Sequence, residues 1–554
     1  MPSVTTTSAA QRDDGASTAA TDVLIVGAGP VGCALAVDLR LRGVRCAIVE
    51  RDADISYDMR AMNNSMRTME HMRRWGIAEE IRACSRVPPA FRQDLVFCTA
   101  LHGHELAVFR AYGFRPEDAR ELAAEPGQPM SQKYTARVLR RRAIELGCEV
   151  RTGVEFEALE PHDGGVVAHV APTGAPERSH TIRASYLVGA DGGRSAVRTA
   201  AGIAMSGAGG LGKHVHAVIG CPDLLEDLSV SAGCFYVLFN PQVGGLVLPS
   251  DVDEFNLHLA GYAPDEEVST EELEAKARIV IGRDDAPVEV KRNSPYLIHE
   301  LTAETYRRGR VLLCGDACHL FCPFGGFNMN TGIDDAANLG WKLAAMLEGW
   351  GGEALLDSYT AERRPIALAN SEAASDNVAA LVAAIGGVIG GGVPDGDTDA
   401  DDAERRRLGA GLYEATYPEW NTHGIVLDQR YTDSPVIVDD GSDAPPWDRT
   451  RYVPLAKPGH RAPHAWLEDG VPLYDRLGSG LTLLDLGADA VDVQAFRDGA
   501  AASDVPLAVL AAPALAERYG AALVLVRPDQ HVAWRGAHVP PDLAGLIDTV
   551  RGAP

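Results

Sequence analysis

Short runs of unbroken apolar residues, each closed by a glycine or an acid, organise the start of the chain. Residues 23–26 read Val-Leu-Ile-Val, a length and hydrophobicity that predict a strand buried on both faces. Gly27-Ala28-Gly29-Pro30-Val31-Gly32 follows at once, then helical spacing over 34–41, then a second buried run over 45–49 that ends on Glu50. Strand, glycine turn, helix, strand and acid in this order predict a dinucleotide-binding unit. Gly27 permits the tight turn, Gly29 removes a side chain where backbone must approach a pyrophosphate, and Gly32 lets helix and sheet close up. Pro30 suits a first helical turn, where a missing N–H costs nothing. The unpaired N–H groups of that turn face the phosphates. Glu50, with Arg51 beside it, is placed for the adenosine ribose, and its carboxylate would repel the extra phosphate of NADP. The pattern by itself does not separate FAD from NAD.

Further along, helical spacing covers 137–146 and 355–369, and strand-like runs occupy 235–238, 245–248 and 256–258. Ile333, Ala336, Ala337, Gly340, Leu343, Ala344 and Leu347 form one apolar helical stripe. Thr331 and Asp334 have capping-box spacing, which predicts a helix N-terminus just after Gly325 and Gly326. Its N–H groups near 330–332 would stabilise negative charge on a ring lying over the side-chain-free glycines. Residues 394–404, rich in Asp, Gly and Ala, predict an exposed acidic linker. In the tail, strands are expected over 481–484, 505–510, 522–526 and 532–534, with a short helix over 513–519. Strands alternating with helices make the chain an α/β protein.

A length of 554 residues implies roughly two or three domains. With 77 acidic against 51 basic residues, the formal net charge is -26, which disfavours nucleic acid and anionic lipid as partners. No run approaches the ~20 apolar residues of a membrane span, and Ala and Gly dominate the nearest one, 378–393. Residues 1–20 lack the basic start and apolar core of a secretory signal, so a disordered leader and a soluble cytoplasmic protein are expected. The ten cysteines all lie within the first 322 residues, without a CxxC pair. Cys314, Cys318 and Cys322 recur at four-residue intervals beside His319, a spacing that invites a metal reading. The glycine- and proline-rich loop that begins there explains the segment better, and no metal site is expected.

Two distant segments carry a resemblance. One is Tyr186-Leu187-Val188-Gly189-Ala190-Asp191-Gly192-Gly193-Arg194-Ser195. The other runs from Arg310-Val311-Leu312-Leu313-Cys314-Gly315-Asp316 through Pro323-Phe324-Gly325-Gly326-Phe327-Asn328-Met329-Asn330. With the N-terminal glycine turn, they resemble the three signatures of the class A FAD-dependent aromatic hydroxylases, a family of flavoprotein monooxygenases. The similarity reaches Pro458-Gly459-His460-Arg461-Ala462-Pro463-His464, as in the longer phenol, chlorophenol, hydroxyphenylpropionate and polyketide-tailoring members.

The resemblance implies a Rossmann-like FAD-binding domain over 21–90, 125–200 and 291–375. It implies an interleaved sheet-based substrate domain over 91–124 and 201–290, a helical and loop connection over 376–446, and a thioredoxin-like domain over 447–554. That last domain contains no cysteine, so dithiol exchange is closed to it and a structural or oligomerisation role, such as a homodimer, is expected. The resemblance also implies that Asp316 bonds the ribityl chain, that Asp191 lies near the cofactor, and that Arg60 and Gln132 contact its flavin side. Pro323, Gly325, Gly326, Asn328, Met329 and Asn330 would form the bed of the ring. Asn328 stands where many relatives have glycine; it would tolerate left-handed backbone or project polarity toward substrate or flavin.

The family chemistry reduces FAD with NADPH or NADH, forms a C4a-hydroperoxyflavin from dioxygen, and hydroxylates a phenolic or polyketide-like aromatic small molecule. A base would ionise the phenol, with His258, Tyr236 and His299 as candidates. Phe235, Tyr236, Phe239, His258, Tyr296 and Phe324 are candidates for the lining. Baeyer–Villiger oxidation or epoxidation on the same scaffold, a flavin oxidase, and a non-catalytic flavin-binding protein are the competing readings. Tailoring of a natural product such as an antibiotic is favoured over catabolism.

Overall fold

The computed structural model describes residues 19–54, 63–110, 120–388, 390 and 392–554. Ala19–Val26 lies at the centre of the first sheet, between His180–Gly189 and Cys46–Glu50, with Val311–Leu313 and Glu149–Thr152 outside them, all parallel. The central stretches of the inner strands are apolar because both faces are covered: Val23, Leu24, Ile25, Ile48, Val49, Leu187, Val188, Leu312 and Leu313 have no exposure to solvent. The helices Pro30–Leu41, Gln132–Glu145 and Phe327–Glu348 pack together over this core. The strand begins four residues earlier than expected: Ala19 and Ala20, assigned above to the leader, pair with Ile182 and Arg183. The rest of that leader, and Arg60, lie outside the described residues.

The second sheet has eight strands in the order His319–Leu320, Glu289–Ala303, Met205–Gly220, Glu254–Tyr262, Gly244–Asp251, Phe235–Phe239, Leu95–Cys98 and Glu105–Phe109. Neighbours are antiparallel except Phe235–Phe239 against Leu95–Cys98. Glu289–Ala303 pairs along the length of Met205–Gly220, so a boundary at 290/291 cuts through this sheet rather than between domains. One face rests on the helix Thr270–Ile281. Ser269 caps that helix through Glu272 N–H, Glu271 and Glu272 suit its first turn, and left-handed Gly282 ends it.

Two findings depart from the expected linkers. The acidic stretch at 394–404 is helical from Asp399: Thr398 and Asp401 form a capping box, and Asp399, Asp401 and Asp402 favour the positive end of the helix Asp399–Trp420. The preceding helix, Glu353–Val388, is far longer than the 355–369 segment predicted.

In the tail, Leu507–Ala511, Leu481–Asp485, Leu523–Val526 and Val532–Gly536 form one sheet in that order, the first pair parallel and the others antiparallel. With the helices Ala490–Ala502 and Leu543–Arg551, this is the thioredoxin-like arrangement. A buried ionic cluster joins it to the first domain. Glu362 accepts from Lys342 Nζ at 2.7 Å and from both terminal nitrogens of Arg527, at 2.5 and 2.8 Å. Arg527 also pairs with Asp529, and Asn338 bonds both Glu362 and Asp529. Among the described residues, no helix is long and apolar enough to cross a membrane.

Candidate active site

Gly315 and Gly332, far along the chain, both close on Val31. A Cβ added at Gly315 would sit 3.0 Å from the Val31 side chain; one at Gly332 would meet Val31 at 2.6 Å and the Gly315 backbone at 3.0 Å. Gly27 adopts φ +107°, and a Cβ there would lie 2.3 Å from Ala190 O, so both backbone shape and the adjoining strand demand glycine. At Gly32 a Cβ would strike Gly27 O at 2.1 Å. Gly29 differs: a Cβ there would meet nothing within 4 Å. The helix it precedes, with Pro30 at its first position, has no side-chain cap and no acid in its first turn. Open space beside free N–H groups is what a pyrophosphate requires, so these residues fit a dinucleotide.

Glu50 supports the turn directly: Oε2 accepts Ala28 N–H at 2.8 Å and Oε1 accepts Asp52 N–H at 3.0 Å. Arg51 is exposed, its Nε 4.0 Å from Asp52. Asp191 takes a clasping role, its carboxylate accepting Ser195 Oγ–H at 2.6 Å and Val197 N–H at 3.1 Å. Burial raises its pKa, against the pull of those bonds. Its backbone, rather than its side chain, lies against Gly27. Asp316 is half-buried in the turn Gly315–Ala317, and Gln132 opens the helix Gln132–Glu145.

The cofactor-loop helix corrects the predicted cap. It starts at Phe327, after left-handed Gly325 and Gly326 (φ +97° and +68°), and no side chain caps it. Thr331 is therefore interior, donating to Phe327 O at 2.9 Å, and Asp334 instead pairs with His71 and Gln429. The free N–H groups belong to residues 327–329, not 330–332. Asn328 does not project toward a ligand: its amide closes the loop on the Phe321 backbone, accepting at 3.0 Å and donating at 3.2 Å. Asn330 locks the loop to 63–68, accepting from Ser65 N–H and Thr68 Oγ–H and donating to Asn63 O and Gly326 O. Met329 is buried and Pro323 half-buried. Of the metal-type residues, Cys318, His319 and Asp335 approach within 4.8 Å. Asp335 is already matched by Arg363 and His319, each at 2.7 Å.

Strand parity sorts the proposed substrate residues. Val215, Ala217, Tyr236, Leu238, Val247, Phe255 and Leu257 share one apolar cluster with Leu273 and Ala277 of the covering helix. Their alternates, His214, His216, Asn256 and His258, occupy the other face, where His214 meets Phe324 of the cofactor loop with ring centroids 6.2 Å apart. Tyr236 therefore points away from the cofactor loop. Its hydroxyl is spent on Gly233 N–H at 2.9 Å and Ser231 O at 3.3 Å, and burial raises its pKa. His258 does face the loop side, its ring tilted against that of His216 with centroids 4.5 Å apart. Among the described residues its Nε2 has no partner, and burial, with His216 and His214 adding, pushes its pKa well down. His214 falls to about 4 by burial, 3.5 Å from the Tyr296 hydroxyl. His299 is half-buried at the outer ribbon, accepting Gly210 N–H at 3.2 Å. Phe235 and Phe239 lie on the wall with Phe97, joined by a residue that sequence reading missed, Trp420. Glu419, equally missed, is buried beside Gly325. Tyr236→Phe is expected to cost about 1 kcal/mol of stability with unchanged substrate kinetics, whereas His258→Phe raises KM roughly tenfold by removing a polar partner; steady-state kinetics with denaturant melts separate the two.

This arrangement defines a flavoprotein of the hydroxylating kind. Residues 20–374 match the family described as FAD binding domain, and 456–554 match aromatic-ring hydroxylase, C-terminal. The chain belongs to the class A FAD-dependent aromatic hydroxylases, and is an FAD-dependent monooxygenase. It is 31% identical over 579 residues to tetracenomycin A2 monooxygenase-dioxygenase of Streptomyces glaucescens, covering 96% of each chain. It is 32% identical over 572 residues to aklavinone 12-hydroxylase RdmE of Streptomyces purpurascens, covering 96% of this chain and 98% of the relative. Its fold is similar to that of the rebeccamycin biosynthetic enzyme RebC with reduced flavin, with a TM-score of 0.87 and 32% identity over 97% of this chain and 100% of that one.

Proposed function

We propose that the protein hydroxylates a multi-ring phenolic, polyketide-like substrate at the expense of NADPH or NADH. The observation that carries this is the polar row on the sheet face turned toward the cofactor loop: Ser294 and Tyr296, His214 and His216, then Asn256 and His258 on three adjacent strands. Three strands span about 10 Å between the outer two, a width suited to fused rings bearing several oxygens rather than to a single phenol. The relatives named for tetracenomycin A2 and aklavinone support the same choice.

Bound FAD, once reduced, supplies the activated oxygen atom drawn from dioxygen. The chain's part is to bind, orient and dry. The N-terminal turn of Pro30–Leu41 and the open side of Gly29 would hold the pyrophosphate, Glu50 and Arg51 the adenosine end, and Asp316 the ribityl chain. Arg60 and Gln132 would complete the contacts. Free N–H groups at 327–329 would stabilise negative charge on the reduced ring. The aromatic wall of Phe97, Phe235, Phe239 and Trp420 would exclude water from the reacting carbon, and the polar row would fix which carbon faces the oxygen. The ten unpaired cysteines suit a reducing, cytoplasmic setting.

The test measures NAD(P)H oxidation, peroxide release and product mass across simple phenols, aromatic acids and multi-ring quinols. Coupled hydroxylation confined to the multi-ring compounds is expected. Equal coupling with simple phenols would contradict the proposed substrate class, and a lactone or epoxide product would contradict hydroxylation itself.

A further inference from the structure

We propose that Glu419 receives the proton of a substrate hydroxyl during hydroxylation, a role that rests on the reading of this site as one for phenolic rings. Glu419 is the penultimate residue of the helix Asp399–Trp420 and is 3% exposed. Its carboxyl accepts the N–H of Gly325, the first of the two left-handed glycines that open the cofactor loop. Among the described residues, its Oε2 has no hydrogen-bond partner. The next residue, Trp420, packs against Phe97 and Phe235. The unmatched oxygen thus sits where the cofactor loop meets the aromatic wall.

A carboxyl oxygen left unpaired in an apolar setting is costly, and such groups persist where a ligand supplies the missing partner. A phenolic O–H is a suitable partner, because it donates the hydrogen bond that Oε2 lacks. The transfer balances simply: the substrate O–H bond breaks, the Oε2–H bond forms, and the electron pair stays on the substrate oxygen. From there it enriches the ring carbon that takes up the new oxygen.

Burial raises the Glu419 pKa to about 8, partly opposed by the Gly325 N–H. That brings it toward the ~10 of a phenol and near working pH, where a general base is most effective. The histidines on the sheet are less suited, since burial holds His214 near 4 and His258 well below its ordinary value. Glu419 lies near enough for its charge to be felt at Cys322, whose thiol burial raises to about 12 and keeps neutral.

The test uses FAD-loaded full-length protein and 1,4-dihydroxyanthraquinone, whose absorption band moves when a hydroxyl ionises. Wild type, Glu419→Gln and Glu419→Asp are first matched for flavin content and melting temperature. Wild type is expected to bind the probe and to shift its band to longer wavelength as Glu419 ionises and takes the probe's hydroxyl hydrogen bond, with pH rising through about 8. Glu419→Gln should bind it without that shift and lose roughly 10²–10⁴-fold in kcat, together with the rising limb of the pH–rate profile. Glu419→Asp should recover part of both. The proposal is overturned if Glu419→Gln keeps the band shift and the wild-type pH profile while wild type hydroxylates phenols. It is also overturned if flavin loss or misfolding of Glu419→Gln is accompanied by a Glu419→Asp variant with wild-type flavin content but no recovery of the shift or rate. Wild type that neither binds the probe nor hydroxylates any multi-ring phenol overturns the substrate reading and this role together.

Discussion

Replacing Glu362 with alanine is expected to destabilise the protein by about 3–5 kcal/mol, one of the largest effects available outside the cofactor site. The carboxylate has no exposure and is shared by Lys342 and Arg527, cations from the two halves of the molecule. Removing it leaves Lys342 without its ion-pair partner and Arg527 paired with Asp529 alone among the described residues, in surroundings that water does not reach. Loss on that scale should appear as a lower urea midpoint by tryptophan fluorescence, since Arg527 and Lys342 both lie over the Trp341 ring. A change below about 1 kcal/mol, the scale of a surface ion pair, would contradict the account. The deficit should also depend on pH. Burial works to raise the Glu362 pKa, but Arg527 and Lys342 more than offset it and hold the carboxyl below its ordinary range. A depressed pKa contributes stability above the unfolded value of about 4.3 and loses it as pH falls toward the folded value. The gap between wild type and Glu362→Ala should therefore narrow as the solution is acidified below that point.

Gly29→Asp is expected to yield a folded but colourless protein. Gly29 has ordinary backbone angles, φ -66° and ψ 177°, and no atom within 4 Å of an added Cβ, so the chain accommodates a side chain there. The new carboxylate would fill the space proposed for the pyrophosphate and repel it. FAD affinity should fall at least 100-fold, about 2.8 kcal/mol, while the apoprotein melts near wild type. Equilibrium titration with FAD and thermal scans of both apoproteins measure the two quantities. Gly32→Ala makes the contrast, because its Cβ would strike Gly27 O and disturb the turn itself. Full flavin retention by Gly29→Asp would show that the cofactor lies elsewhere.

What could be read beforehand was chemistry held within one local segment. The turn from Gly27 to Gly32 carries its whole logic in neighbouring residues, as do the buried strands around it and the four tail strands. What misled was geometry set by distant partners. Residues 235–239 are apolar at every position, so the sequence had no parity to show that Tyr236 faces the covering helix while Phe235 and Phe239 face the wall. The cofactor-loop helix begins at a left-handed glycine without a side-chain cap, whereas Thr331 and Asp334 imitate a cap inside it. Asn328 could be read as projecting toward a ligand and Asn330 as part of the ring's bed, but their amide partners, the Phe321 backbone and residues 63–68, emerge only in the folded loop. Glu419 lies beyond the acidic stretch at 394–404 and had no local pattern to single it out. Its burial comes from docking of the helix Asp399–Trp420 on 105–109 and beside Gly325. The Thr398 and Asp401 spacing was an available signal for that helix, hidden by surrounding Asp and Gly.

Everything above turns on delivery of one atom of dioxygen to an aromatic ring from bound, reduced FAD. It is tested most directly by turnover of the reconstituted holoprotein under labelled dioxygen with NADPH or NADH and a multi-ring phenol, followed by product mass. One labelled oxygen per hydroxylated product is expected, with nicotinamide consumed in step. Nicotinamide consumption that ends wholly in labelled hydrogen peroxide, or a hydroxyl carrying oxygen from water, would contradict it.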